Sequence, residues 1–283
     1  MDDLSSINQK LNQRVGRALV PSILVSLLVL TLIFTSLAFV PLLFLLLVLT
    51  ASNIATLELH HAFVAAGIKI DKLPLLVGVS AILIATWFGK VNGLAISLAV
   101  VLPNVLALML WRSTENYVRR ASAAALIIFY IPFLAGFILL LANNKNGLRW
   151  IIALVVIVAC SDTFAWVSGV LLGKHKMAPN ISPKKTWEGF VGALIFTLIG
   201  AGLVFQFPLH RAFWEGAIIG VIGTITSTWG DLIESALKRD MGIKDMGKIL
   251  PGHGGMLDRM DSILFTAPTI WFAYEALRHF HWL

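Results

Sequence analysis

Apolar runs of about twenty residues follow one another along nearly the whole chain, and they exclude most water-soluble architectures. A helix needs roughly 20 residues to cross the hydrocarbon core of a bilayer. Runs of that kind fall near 19–36, 38–57, 73–89, 91–111, 122–141, 148–172, 189–207, 213–234 and 260–281. The third is short and the first two nearly fuse, so eight or ten spans fit the same pattern. Only 13% of the residues are charged, against about 25% in a soluble domain. The surplus apolar surface has to face lipid. The expected fold is therefore an all-α integral membrane protein, a polytopic bundle of about nine transmembrane helices with a cytoplasm-facing polar site.

Charge sets the orientation. A formal charge of +7 could suggest a nucleic-acid partner, but the basic residues are spread over the loops between spans. They read as topology signals, and no nucleic-acid partner is expected. With the N-terminus inside, seventeen of the 22 Lys and Arg residues fall in inner segments, as the positive-inside rule requires. This places the N-terminus and the loops 173–188 and 235–259 in the cytoplasm. Trp87, Trp111, Trp150, Trp187, Trp214, Trp229 and Trp282 lie near proposed segment ends, as an interfacial belt would. No cleavable signal peptide is evident. We read residues 1–18 as a cytoplasmic N-terminal segment, 19–147 as a transmembrane scaffold and 148–283 as the catalytic transmembrane region. The lone Cys160 excludes an intramolecular disulfide.

The polar groups concentrate late in the chain. Asp231, Glu234, Ser235 and Lys238 are spaced to share one helix face. Carboxylates at a membrane helix end are costly unless paired, hydrated or metal-bound. Asp258 and Asp261 follow across a short loop, with Arg259 between them. One helix cap would explain one of these Asp residues but not two. Asp231, Asp258 and Asp261 are expected to converge on Mg²⁺, which commonly takes one or two carboxylates and completes its shell with water and phosphate. Glu234 and the intramembrane Asp162 are further candidate ligands. Pro251-Gly252-His253-Gly254-Gly255 offers backbone N–H groups to an anion, with His253 as a candidate catalytic group. Ser182, Lys184, Lys185 and Thr186 supply two hydroxyls and two ammonium groups around a rigid turn suited to phosphate. His60 and His61, after Glu58, read as loop-edge residues. Gly216 with Gly220 and Gly169 with Gly173 are small-residue pairs expected to pack helices within the molecule.

The stretch from Ser235 to Asp261 resembles the signature of the phosphatidate cytidylyltransferases (CDP-diacylglycerol synthases). Ser235, Lys238, Arg239, Lys244, Asp245, Gly247, Pro251, His253, Gly254, Gly255, Asp258, Arg259 and Asp261 all fall on that pattern. The likeness extends upstream to Gly230-Asp231 and to Ser182 through Gly189, covering about 155–265; Trp166 stands where the family often has Tyr. The resemblance implies condensation of CTP with phosphatidic acid to CDP-diacylglycerol and pyrophosphate, with Mg²⁺ and a second, monovalent or divalent, cation as an option. It implies a catalytic set of Asp231, Asp258, Asp261, Lys238 and His253. It implies substrate contacts from Ser182, Lys184, Lys185, Thr186, Ser235, Arg239, Lys244, Asp245, Gly254, Gly255 and Arg259. The bilayer of a bacterial cell membrane is the expected setting, and a homodimer is an expected assembly. Asp258→Ala is expected to abolish turnover and leave folding intact. Two other readings compete: another CTP-using lipid enzyme, such as an isoprenoid-alcohol kinase, and a transporter with Asp162, Asp231 and Glu234 on an ion path. The clustering of charge at inner helix ends and the lack of an internal repeat count against the transporter.

Overall fold

The computed structural model describes residues 19–111, 114–144, 146–247 and 254–279. Six of its helices are long and apolar enough to cross a membrane, so the chain is an all-α polytopic membrane protein apart from one small hairpin. The two nearly fused first runs separate at Val40, giving α1 (Leu19–Phe39) and α2 (Pro41–Ala65). Pro41 opens the second helix, where its missing N–H is one of the donors no helix satisfies. The second helix runs to Ala65 rather than ending near 57. Glu58, His60 and His61 are thus helical, and Glu58 and His60 are buried. The loop-edge reading of His60 gives way: its Nε2 lies 2.8 Å from the Ile70 carbonyl.

The third element, α3 (Lys72–Leu110), is continuous over 39 residues except at Lys90, where φ is 52°. A straight helix of that length would be about 58 Å long at 1.5 Å per residue, nearly twice the bilayer core. The chain instead doubles back: Gly78 of the first arm faces Val101 and Val105 of the second. The two arms match the runs expected at 73–89 and 91–111. Next comes one span built of α4 (Tyr117–Ile128), a π-helical turn (Phe129–Phe133) and α5 (Leu134–Ala142). Pro132 lies in that turn. It can donate no backbone hydrogen bond, and the wider π geometry accommodates the gap.

The C-terminal half holds α6 (Gly147–Leu172), a β-hairpin of β1 (Lys176–Ala178) and β2 (Ser182–Thr186), α7 (Trp187–Gln206), α8 (Phe213–Asp240) and α9 (Leu257–His279). The most extensive packing links α6 to α7, α7 to α8 and α8 to α9, and α9 also lies against α5. The small residues Gly216 and Gly220 face Ala201, Phe205 and Thr197 of α7, so that pair is used within the molecule. Trp111, Trp187, Trp214 and Trp229 are exposed, as a belt requires. Trp150 is not: it is fully buried, with edge-on contacts to Phe205 at 5.6 Å and Tyr274 at 5.3 Å. Phe88, Ile96, Val170, Leu171 and Phe272 stay exposed, leaving the apolar outer surface that lipid would cover.

Candidate active site

The loop at 173–188 is a strand pair, and its pleat separates residues that look equivalent in sequence. Side chains alternate sides along a strand. Lys184 is exposed, whereas Lys185 is drawn in and places its Nζ 2.7 Å from Asp231 Oδ2. The two lysines therefore do not converge on one point. Thr186 caps α7, its Oγ1 accepting the Gly189 N–H at 3.1 Å. Ser182 is half-buried and pairs with Ala178 in the hairpin. The hairpin is tied to the end of α8 by Arg239, whose Nε donates to the Ile181 carbonyl at 3.2 Å.

On α8 the helical spacing acts as the sequence suggests. Ser235 Oγ donates to Asp231 Oδ1 at 3.2 Å, and Lys238 pairs with Glu234 one turn back. Gly230 lets α9 come close, since a methyl group there would sit 2.5 Å from the Asp261 carbonyl oxygen. That approach sets the buried Asp261 beside the polar face of α8. Asp162 enters from α6, with the Ser227 and Ser262 hydroxyls each 3.4 Å from its Oδ1. Its side chain remains exposed at the surface of the bundle. Asp162, Asp231 and Asp261 are within electrostatic reach of one another.

Asp258 is held by Lys238 and by the loop. Its Oδ1 receives Lys238 Nζ at 2.8 Å, while its Oδ2 accepts the Gly255 N–H at 2.7 Å and the Met246 N–H at 3.1 Å. Of the expected trio, Asp231 and Asp261 lie within electrostatic reach of Asp162, while Asp258 clamps the loop between α8 and α9; Glu234 lies against Asp258 and within reach of Asp261, which links the two groups. No closed metal cage of three His, Cys, Asp or Glu groups exists among the described residues. The donor set nevertheless fits a hard cation. Asp162, Asp231 and Asp261 offer carboxylate oxygens, Lys185 is bonded to Asp231, and Glu234 Oε1 is buried with no hydrogen-bond partner among the described residues. An ion that keeps several waters needs no closed protein cage.

Lys244 and Asp245 are exposed on the turn after α8, and Arg259 is exposed near the start of α9. Gly254 has φ of +80° and Gly255 is buried. His253 lies outside the described residues. Two groups from the N-terminal half join this region as well. Glu58 accepts backbone N–H groups from Met256 and Leu257, each at 2.9 Å. Tyr130, in the π turn, is buried with its hydroxyl unpartnered among the described residues, and it feels Asp261, Glu234, Asp231 and Asp258. With the apolar run drawn to 57, Glu58 stood just beyond it; the helix reaching Ala65 puts it inside a candidate span, where an acidic residue is by default a functional candidate. For Tyr130 only the nearby Pro132 hinted at a local change in the helix.

Carboxylate and ammonium groups brought together from α2, α6, α8, α9 and the hairpin, in a chain with six helices long and apolar enough to span a bilayer, mark a membrane-embedded class of protein with a polar site. The model of the cytidylyltransferase family matches residues 20–277. A phosphatidate cytidylyltransferase of Mycobacterium bovis is 37% identical over 281 residues, covering 93% of this chain and 90% of its own. That of Mycobacterium leprae is 35% identical over 93% of this chain and 89% of its own. One from Staphylococcus saprophyticus is 44% identical over 149 residues, covering 52% of this chain and 57% of its own. The chain belongs to the cytidylyltransferase family, among the phosphatidate cytidylyltransferases.

Proposed function

We propose that the protein condenses CTP with phosphatidic acid to CDP-diacylglycerol and pyrophosphate, at the cytoplasmic face of the membrane. The observation that carries the reading is the meeting of Lys185 and Asp231, on the hairpin and α8, beside Asp162 and Asp261. It puts ammonium and carboxylate groups from separate elements at one point, in a chain of this family. A phosphate oxygen of phosphatidate forms a bond to the α-phosphorus of CTP. The bond from that phosphorus to the bridging oxygen of the β-phosphate breaks, and pyrophosphate leaves with the electron pair. The attacking group is already an anion, so no protein nucleophile is required.

The obstacle is repulsion between two polyanions. Lys185, Lys238, Arg239 and Arg259 offset it by holding phosphate oxygens and the leaving pyrophosphate. Asp162, Asp231 and Asp261 would hold Mg²⁺, with Glu234 available to a second cation; bound there, the metal supplies neutralising charge between the phosphates. Asp258 acts through Lys238, holding its ammonium against the loop. The inner orientation rests on the distribution of Lys and Arg. The lipid tails stay in the bilayer beside the exposed apolar helix faces, while the headgroup meets the nucleotide at the helix ends.

The test is direct. Purified full-length protein is given CTP and phosphatidic acid in mixed micelles, with and without Mg²⁺, and both products are measured. Metal-dependent formation of CDP-diacylglycerol and pyrophosphate in equal amounts is expected. No product from folded protein would overturn the reading.

A further inference from the structure

The loop between α8 and α9 carries most of the signature residues, yet its ends are held by a residue of the other half of the chain. Glu58 is only 4% exposed. Its two carboxylate oxygens each take one backbone N–H, from Met256 and from Leu257, at 2.9 Å. These are among the donors that the start of a helix leaves unsatisfied, and a carboxylate there is favoured by the helix dipole. Gly247 and Gly255, near the two ends of the loop, lie against the same group. A Cβ on Gly255 would stand 2.7 Å from Glu58 Oε2, and one on Gly247 would collide with Glu58 Oε1. Both ends of the loop are thus shaped to the carboxylate.

A local cap would have satisfied α9 equally well, since Ser, Thr, Asp or Asn just before a helix does so routinely. A cap reached from 199 residues upstream does something more: it fixes α9 along its axis relative to α2. The adjacent turn is fixed from the other side by Asp258, through the Gly255 and Met246 N–H groups, and Asp258 holds Lys238. Asp261 is one turn further along α9. Displacing Met256 and Leu257 would therefore move Asp258, Lys238 and Asp261 together, and a misplacement of about 1 Å can cost about a hundredfold in rate.

We infer that Glu58 is a positioning residue for nucleotidyl transfer, setting the register of the signature loop and the start of α9 through the Met256 and Leu257 amides. The kinetic part rests on the activity proposed above; the positioning part does not. The experiment uses the full-length protein as wild type, Glu58→Gln and Glu58→Asp. Gln keeps one acceptor oxygen and turns an NH₂ toward the second N–H. Asp keeps the charge but is one methylene short. Glu215→Gln serves as a control, because it weakens a buried ion pair with Arg211 that lies outside the site.

Two readouts are taken on folded, monodisperse protein. In hydrogen exchange, amides 254–261 are expected to lose protection in both Glu58 variants and to keep it in Glu215→Gln. In kinetics, kcat is expected to fall about 10- to 100-fold in Glu58→Gln, as for groups that orient ligands from outside. KM for CTP is expected to stay within about threefold, because an orienting group acts on the transition state more than on ground-state binding. Glu215→Gln should lose stability and keep its kcat. Unchanged protection of 254–261 overturns the inference whether or not wild type makes CDP-diacylglycerol. Wild-type kcat in folded Glu58→Gln also overturns it. If Glu58→Gln does not fold, Glu58→Asp is judged by the same two criteria. A wild type that makes no product, with loop protection lost in the variants, refutes the proposed reaction and leaves the positioning role standing.

Discussion

Replacing Lys238 by Met removes one ammonium group that serves two carboxylates. Lys238 lies against Asp258 at 2.8 Å and against Glu234, and the three side chains are only 13%, 10% and 1% exposed. Asp258 keeps two backbone donors on its other oxygen, but Glu234 loses its one ion-pair partner among the described residues. Breaking a buried pair by removing one partner costs about 3–5 kcal/mol, and Lys238→Met should fall in that range. Asp258→Asn should cost less, about 1–3 kcal/mol, because Lys238 retains Glu234. The double variant should be less destabilised than the sum of the two, with a coupling of about 1–3 kcal/mol. Denaturant unfolding in micelles, followed by tryptophan fluorescence, measures all four corners of this cycle. Additivity within about 0.5 kcal/mol would mean that Lys238 and Asp258 do not interact and would refute the clamp. The same bonds revise the expectation for Asp258→Ala, which should lose stability as well as turnover because two backbone N–H groups lose their acceptor.

Asp231→Asn should lower kcat at least about 10-fold and raise the Mg²⁺ needed for half-maximal rate; an unchanged metal requirement would remove Asp231 from the cation site. Trp150→Ala, at a fully buried position between Phe205 and Tyr274, should cost about 3–5 kcal/mol of stability with kcat per folded molecule retained. Gly230→Ala should push α9 away from α8 and reduce activity in folded protein, whereas full activity would show that the close approach to Asp261 is not needed. Lys184→Ala, exposed on the hairpin, should reduce activity much less than Lys185→Ala, and equal losses would contradict their placement on opposite faces.

Much of this protein was fixed by local pattern. The apolar runs are long enough to demand spanning helices, because an unpaired backbone cannot stay in hydrocarbon. Even the turn between the arms of α3 was legible as the gap between two runs. The Ser235–Asp231 and Lys238–Glu234 contacts follow from spacing on a single helix. What the sequence alone could not decide is which groups on different elements meet. Lys184 and Lys185 are neighbours in the chain, yet only the hairpin's pleat sends one to Asp231 and the other outward. Asp258 and Asp261 share a helix turn, but the packing of α9 on α8 directs them to different partners. Trp150 has the flanks of an interfacial residue and is buried because α6, α7 and α9 close over it. Glu58 stands in a half of the chain with little visible chemistry, and only the packing of α2 beneath the start of α9 joins it to the site. Local propensity acts over a few residues, whereas these pairings are set by how whole helices pack, and no short window of sequence contains both partners.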